Sequence, residues 1–179
     1  MSINIIHIFG ASGSGTSTLA KALEKVYSYR WLDTDDFFWE QTDPPYVTAR
    51  VPEMRLQLIY SAISESSKCV ISGSLYGWGD PLIPLFDLAI YIDTPTDVRI
   101  ERLRKREYIK FGDRIRKGGD MYNNHEAFIE WARNYEINPP YERSRIGHMD
   151  WLSTLSCSKL QLDGTKPVEI LVNELSKYL

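Results

Sequence analysis

Apolar positions come in short dense runs separated by longer amphipathic stretches. Ile3 to Phe9 is almost wholly apolar and rich in β-branched residues, the pattern of a strand buried on both faces. Tyr29–Leu32, Cys69–Ser72, Leu88–Ile92 and Lys159–Leu162 are further strand-like runs. Between them the period changes. Leu19, Ala22, Leu23 and Val26 recur at i, i+3, i+4 and i+7, which predicts one face of a helix. Leu56, Ile59 and Ile63 predict a second helix, opened by Pro52 and running to about Ser66. Thr94-Pro95-Thr96-Asp97 reads as a helix start with Thr94 as cap. Phe128, Trp131, Ala132 and Tyr135 mark another helix, which Asn138-Pro139-Pro140 ends. A further helix is expected from Glu142 to Leu155, and Val168, Leu171, Val172 and Leu175 predict the last. Strands alternating with helices imply an α/β domain with a parallel sheet covered on both faces.

Length and composition narrow the class. The chain has 179 residues, 43% hydrophobic and 25% charged, the profile of one globular domain. A formal charge of −3 gives no global argument for nucleic acid or an acidic membrane as partner. Cys69 and Cys157 are far apart and in no metal-ligand spacing, which suits small buried thiols of a reducing compartment. No leader-like pattern and no spanning run are seen, so a cytoplasmic protein is expected. His7 lies in the first strand and is read as a hydrogen-bonded core residue. His125 and His148 lack metal spacing.

The candidate chemistry begins directly after the first strand. Gly10-Ala11-Ser12-Gly13-Ser14-Gly15-Thr16-Ser17 reads G-x-x-x-x-G-T-S and leads into a helix. Strand, glycine loop and helix is the setting in which backbone N–H groups cradle phosphate, aided by the helix N-terminus. Ser17 is placed to put its hydroxyl on magnesium. The lysine that ordinarily precedes this hydroxyl is Thr16, so the loop lacks a charge. Between Pro95 and Asp120, nine Lys/Arg stand against five Asp/Glu. Arg102 and Arg106 share a helix face, with Arg99 one turn before, and can neutralise a transferring phosphoryl group. Arg114 and Arg116 lie in a glycine-bracketed segment that can close over the same charge. Asp33 and Asp35, at the end of the second strand, are candidates to hold an acceptor hydroxyl, take its proton or bind magnesium through water. Asp35 is preferred as the catalytic one. Trp78, in the glycine-rich loop Gly73–Pro81, is a candidate for the acceptor pocket; Phe37, Phe38 and Trp39 can also line it and stack on a base, although core packing suits at least two of them better.

These features together resemble the P-loop kinases of the nucleoside-monophosphate and shikimate/gluconate kinase group, over nearly the whole length. The resemblance rests on Gly10–Ser17, Asp33-Thr34-Asp35, Ser72-Gly73, the Thr94-Pro95 helix start with Arg102 and Arg106, and Leu162-Asp163-Gly164. A narrower likeness, to bacterial adenylate-kinase-like P-loop proteins, includes Gly119-Asp120-Met121-Tyr122. The resemblance implies a three-layer α/β/α fold, a five-stranded parallel sheet of order 2-3-1-4-5, and a helical lid over about residues 112–147. It implies ATP and Mg2+ as cofactors and a small-molecule phosphate acceptor, a nucleoside monophosphate first. It assigns Arg102, Arg106, Arg114 and Arg116 to donor and transferring phosphate, and Asp33, Asp35 and Gly73 to the acceptor side. Two departures stand out: Thr16 for the loop lysine, and Ser72-Gly73 where many adenylate kinases carry Asp-Gly. The first keeps open a second reading, a nucleotide-binding protein without efficient turnover. A kinase acting on nucleic-acid ends is a weaker third reading, disfavoured by the acidic balance of the chain.

Overall fold

The computed structural model describes residues 3–179. Five parallel strands form one sheet in the order β2-β3-β1-β4-β5. They are β1 (Ile5–Gly10), β2 (Arg30–Asp33), β3 (Cys69–Ser72), β4 (Leu88–Asp93) and β5 (Ser158–Asp163). The helices are α1 (Thr16–Tyr27), α2 (Thr34–Phe38), α3 (Pro52–Ser64), α4 (Thr96–Phe111), α5 (Tyr122–Arg133), α6 (Arg145–Thr154) and α7 (Val168–Leu175). The apolar runs make the sheet because each strand between the edges is covered twice. Side chains alternate across the sheet, and the two core clusters divide by that parity. Ile6, Ile8, Ile90 and Ile92 pack with Leu19 and Leu23 of α1 and Leu171 and Leu175 of α7. Phe9, Ile71, Ala89 and Tyr91 pack with Ile59 and Ile63 of α3 and Trp151 of α6. Helices therefore lie on both faces, as the resemblance implied.

Three local readings change. Val26 is 57% exposed, and Ala20 takes its place in the buried stripe of α1. Thr34–Phe38, for which no helix is predicted, is a helix capped by Asp33, whose side chain accepts from the Asp35 amide. Thr94 does not cap α4. The cap position is Pro95, with no side-chain hydrogen bond, and Thr94 is used elsewhere. Residues 112–147 hold two short 3-10 turns and α5, which packs on α4 through Ile100, Leu103, Ile129 and Ala132. Among the described residues no helix is long and apolar enough to cross a membrane.

Candidate functional site

The carboxyl ends of β1, β2 and β3 converge because Asp33 pairs in register with Ser72 and Ser72 with Ile8. The glycine loop rises from β1 at that edge and is pinned from outside. The Ser14 carbonyl accepts from Thr94 Oγ1 at 3.0 Å, and the Ser12 carbonyl from Arg99 Nη1 at 3.4 Å. In a trans peptide the C=O and the following N–H point in opposite directions. Anchoring those two carbonyls to Thr94 and Arg99 therefore turns the amides of Gly13 and Gly15 the other way. The amides of the first turn of α1 lack intrahelical acceptors and add to them. Gly13 has φ +82°, and a Cβ there would stand 2.7 Å from the Arg99 carbonyl, so the loop also needs that glycine to lie against α4. Ser14 Oγ is buried with no partner, tucked against Gly10.

Ser17, at the start of α1, donates to Asp33 Oδ2 at 3.3 Å, and Ser72 Oγ lies 3.4 Å from Ser17 Oγ. Trp31 Nε1 fixes Ser72 at 2.8 Å, and the Asp35 amide fixes Asp33 Oδ1 at 3.1 Å. Burial raises the Asp33 carboxyl to about 6, with the neighbouring Asp35 charge adding to it. A desolvated carboxylate beside two hydroxyls is an all-oxygen donor set that gains from a hard cation, and it fits magnesium. Asp35 is exposed at the first turn of α2. Gly73 follows β3 with φ +108°, a Cβ there would overlap Thr34 Oγ1, and its carbonyl accepts from His7 Nε2 at 3.0 Å. His7 is fully buried and held neutral by desolvation, its basicity lowered to about 3. Trp78 is half-buried, donates to the Ser74 carbonyl at 3.1 Å and meets Phe38 edge-on at 6.0 Å.

The arginines divide. Arg102 reaches the loop: its Nη1 donates to the Gly164 carbonyl at 2.9 Å and lies 4.0 Å from where a Cβ on Gly15 would stand. Arg99, in the same helix, is fully buried behind the loop. It donates to Thr94, Ser12 and Ala132 carbonyls and pairs with Glu136 at 3.7 Å. Arg106 turns to its neighbour Glu107 at 3.0 Å. Arg114 is held between Asp120 at 2.6 Å and Asp43 at 2.7 Å. Arg116 pairs with Asp113 at 2.9 Å and donates to Tyr108. Two arginines absent from the sequence reading stand near α2 instead. Arg55 of α3 stacks on Phe38 at 3.7 Å, its Nε on the Arg50 carbonyl. Arg143, before α6, lies over Trp131 at 5.3 Å and within the electrostatic reach of Asp35. Desolvation lowers the basicity of both. Among the described residues neither guanidinium meets a carboxylate within 4.0 Å. No spacing in the sequence marks them, because they come from different elements and acquire meaning only across the cleft.

Two cavities border the site. One of about 200 Å³ is lined by Asp35, Asp36, Trp39, Glu40 and Tyr46, among others. The other, about 640 Å³, lies beside Thr94 and contains Asp93, whose two oxygens are taken by Arg145 at 2.7 and 2.8 Å. That pairing lowers the Asp93 carboxyl.

Comparison with known proteins agrees with this geometry. Residues 6–129 match the AAA domain family. A Bacillus subtilis (strain 168) protein, named uncharacterized protein YqaC, is 38% identical over 174 residues, covering 97% of this chain and 96% of that protein. A cytidylate kinase of Pyrococcus abyssi is 28% identical over 123 residues, 63% of this chain and 66% of that protein. The crystal structure of shikimate kinase from Bacteroides thetaiotaomicron superposes with a TM-score of 0.59 at 12% identity, covering 99% of this chain and 98% of the other. The loop and the hydroxyl-carboxylate cluster lie together at the carboxyl edge of the 2-3-1-4-5 sheet, and the chain belongs to the AAA domain family, with similarity to cytidylate and shikimate kinases.

Proposed function

We propose that this protein is an ATP-dependent phosphotransferase whose acceptor is a small anion, a nucleoside monophosphate first. The observation that carries the reading is the meeting of three parts on one sheet edge. These are the outward-anchored glycine loop, the Ser17–Asp33–Ser72 cluster, and Arg55 and Arg143 near α2, which among the described residues have no carboxylate within 4.0 Å. The cytidylate kinase similarity supports a nucleotide acceptor.

The amides of Gly13, Gly15, Thr16 and Ser17 hold the donor phosphates, the Ser14 amide being taken by the Ala11 carbonyl, and Arg102 supplies the cation nearest the loop mouth, where Thr16 brings none. Magnesium, when bound, would be held by Ser17 and Asp33 and would neutralise charge on the donor phosphates. Arg55 and Arg143 bind and orient an anionic acceptor. Its oxygen forms the new bond to the terminal phosphorus as the bond to the leaving diphosphate oxygen breaks, and catalysis is positioning and electrostatics. A phosphate acceptor arrives deprotonated, so Asp35 then only orients a hydroxyl. With a hydroxyl acceptor, Asp35 takes the proton.

A coupled phosphotransfer assay over the nucleoside monophosphates and small hydroxy acids tests the reading. Transfer to at least one anionic acceptor is expected. Donor binding with no transfer to any acceptor sinks it. That outcome would favour the second reading, a nucleotide binder with little turnover, which Thr16 motivates.

A further inference from the structure

The stretch after α2 is folded back on itself. Trp39 and Ala49 form an antiparallel bridge, the Glu40 amide donates to Thr48 at 2.9 Å and the Arg50 amide to Phe38 at 2.8 Å. Arg50 Nη1 ties its base to the carbonyls of Asp36 and Phe37. It is thus a structured flap, and Trp39, Gln41 and Tyr46 of the flap wall the 200 Å³ cavity beside Asp35. Its tip touches a part of the chain about 70 residues away. Asp43 meets Arg114 at 2.7 Å, and Lys110 donates to Tyr46 OH at 2.6 Å while lying 4.7 Å from the ring centroid. On the far side Arg114 belongs to a tight loop. Its Nε and Nη2 hold Asp120 at 3.0 and 2.6 Å, its carbonyl accepts from the Met121 amide at 3.0 Å, and the Gly119 amide donates to Arg116 at 2.8 Å. Moving Arg114 therefore moves residues 112–121 as a unit.

We propose that Asp43–Arg114 and Tyr46–Lys110 form a latch that makes the 39–50 flap and the 110–121 segment open and close together. All four partners are at the surface, where such contacts are individually weak. Weakness suits a device that must release on every cycle. Arg114 is the shared hinge pin, because the same Nη2 serves Asp43 and Asp120. On the phosphotransferase reading, on which this consequence rests, the latch shuts the acceptor side and the 110–121 side in one motion, so water leaves both together.

Coupling of this kind is reciprocal, and hydrogen exchange on the full chain without nucleotide measures it. In Asp43→Asn the Gly119 and Met121 amides are expected to exchange about three- to five-fold faster than in the unaltered protein, the size a lost surface pair gives. In Arg114→Gln the Glu40 and Arg50 amides are expected to speed up by a similar factor. If Asp43→Asn changes only the flap, or Arg114→Gln only residues 112–121, the latch is overturned. No substrate enters the measurement. A protein that shows the coupling but transfers no phosphate would remove the phosphotransferase reading and leave the latch standing.

Discussion

Asp33 carries the sharpest conflict between stability and chemistry. Its carboxyl is raised from 3.8 to about 6 by burial and by Asp35, so the native state holds this proton more tightly than the unfolded chain. Between about pH 4 and 6 the native protein binds more protons, and the free energy of unfolding falls as pH rises through that window, by roughly 2–3 kcal/mol. Asp33→Asn is expected to flatten that part of a urea-stability curve and to leave the ligand-free protein more stable at pH 7. It should also weaken magnesium-dependent donor binding and remove its increase through pH 6. Parallel stability curves for the two proteins would show that Asp33 is not the titrating group. The sequence located Asp33 but favoured Asp35 for the chemistry. The difference is burial: Asp35 is exposed on the first turn of α2, whereas Asp33 ends a strand under Ser17 and Ser72. Two carboxylates two residues apart look alike in a sequence, and only their neighbours across the sheet separate them.

At the level of elements, α4 shows how one local signal serves two purposes. Thr94-Pro95 does precede a helix, yet the threonine hydroxyl goes to the Ser14 carbonyl 80 residues earlier. A cap motif and a staple on the glycine loop read identically along the chain. Thr94→Val keeps the shape and removes the bond, leaving a buried carbonyl unpaired. A loss of about 1–3 kcal/mol is expected, read as a lower urea midpoint, together with weaker donor binding because the Gly15 amide is no longer aimed. Unchanged donor affinity would mean that the loop holds its form without the staple. The strands were legible because burial on both faces leaves dense apolar runs. The five-residue α2 was not, since Thr34-Asp35-Asp36-Phe37-Phe38 has one turn of periodicity and a strong β-prone half. It forms because the Asp33 side chain caps it and Arg50 satisfies its exposed carbonyls at Asp36 and Phe37.

Across the whole molecule the arginines near the site come from elements on different parts of the sheet. β1 is central, with β3 and β2 to one side and β4 and β5 to the other. Arg102, from the helix after β4, reaches the glycine loop and the turn after β5. Arg55, from the helix preceding β3, stacks on Phe38 of α2, and Arg143, in the chain leading into α6, lies over Trp131 and within the electrostatic reach of Asp35. A charge count along the sequence points to residues 99–117, and most of that charge is spent locally: Arg106 on Glu107, Arg114 on Asp43 and Asp120, Arg116 on Asp113. Arg102, Arg55 and Arg143, by contrast, have no carboxylate within 4.0 Å among the described residues, a condition that is not visible in composition. Donor and acceptor binding should therefore fail separately. Arg102→Met is expected to weaken donor binding by about 10- to 100-fold, the worth of a hydrogen bond to a charged group, with acceptor KM nearly unchanged. Arg143→Met should raise acceptor KM by a similar factor and leave the donor Kd alone, and Arg106→Met should do little to either. Donor Kd by calorimetry and acceptor KM by coupled assay distinguish these outcomes. If Arg106→Met proves as damaging as Arg102→Met, the helix face rather than the loop contact sets the charge, and the Glu107 pair must break when the donor binds.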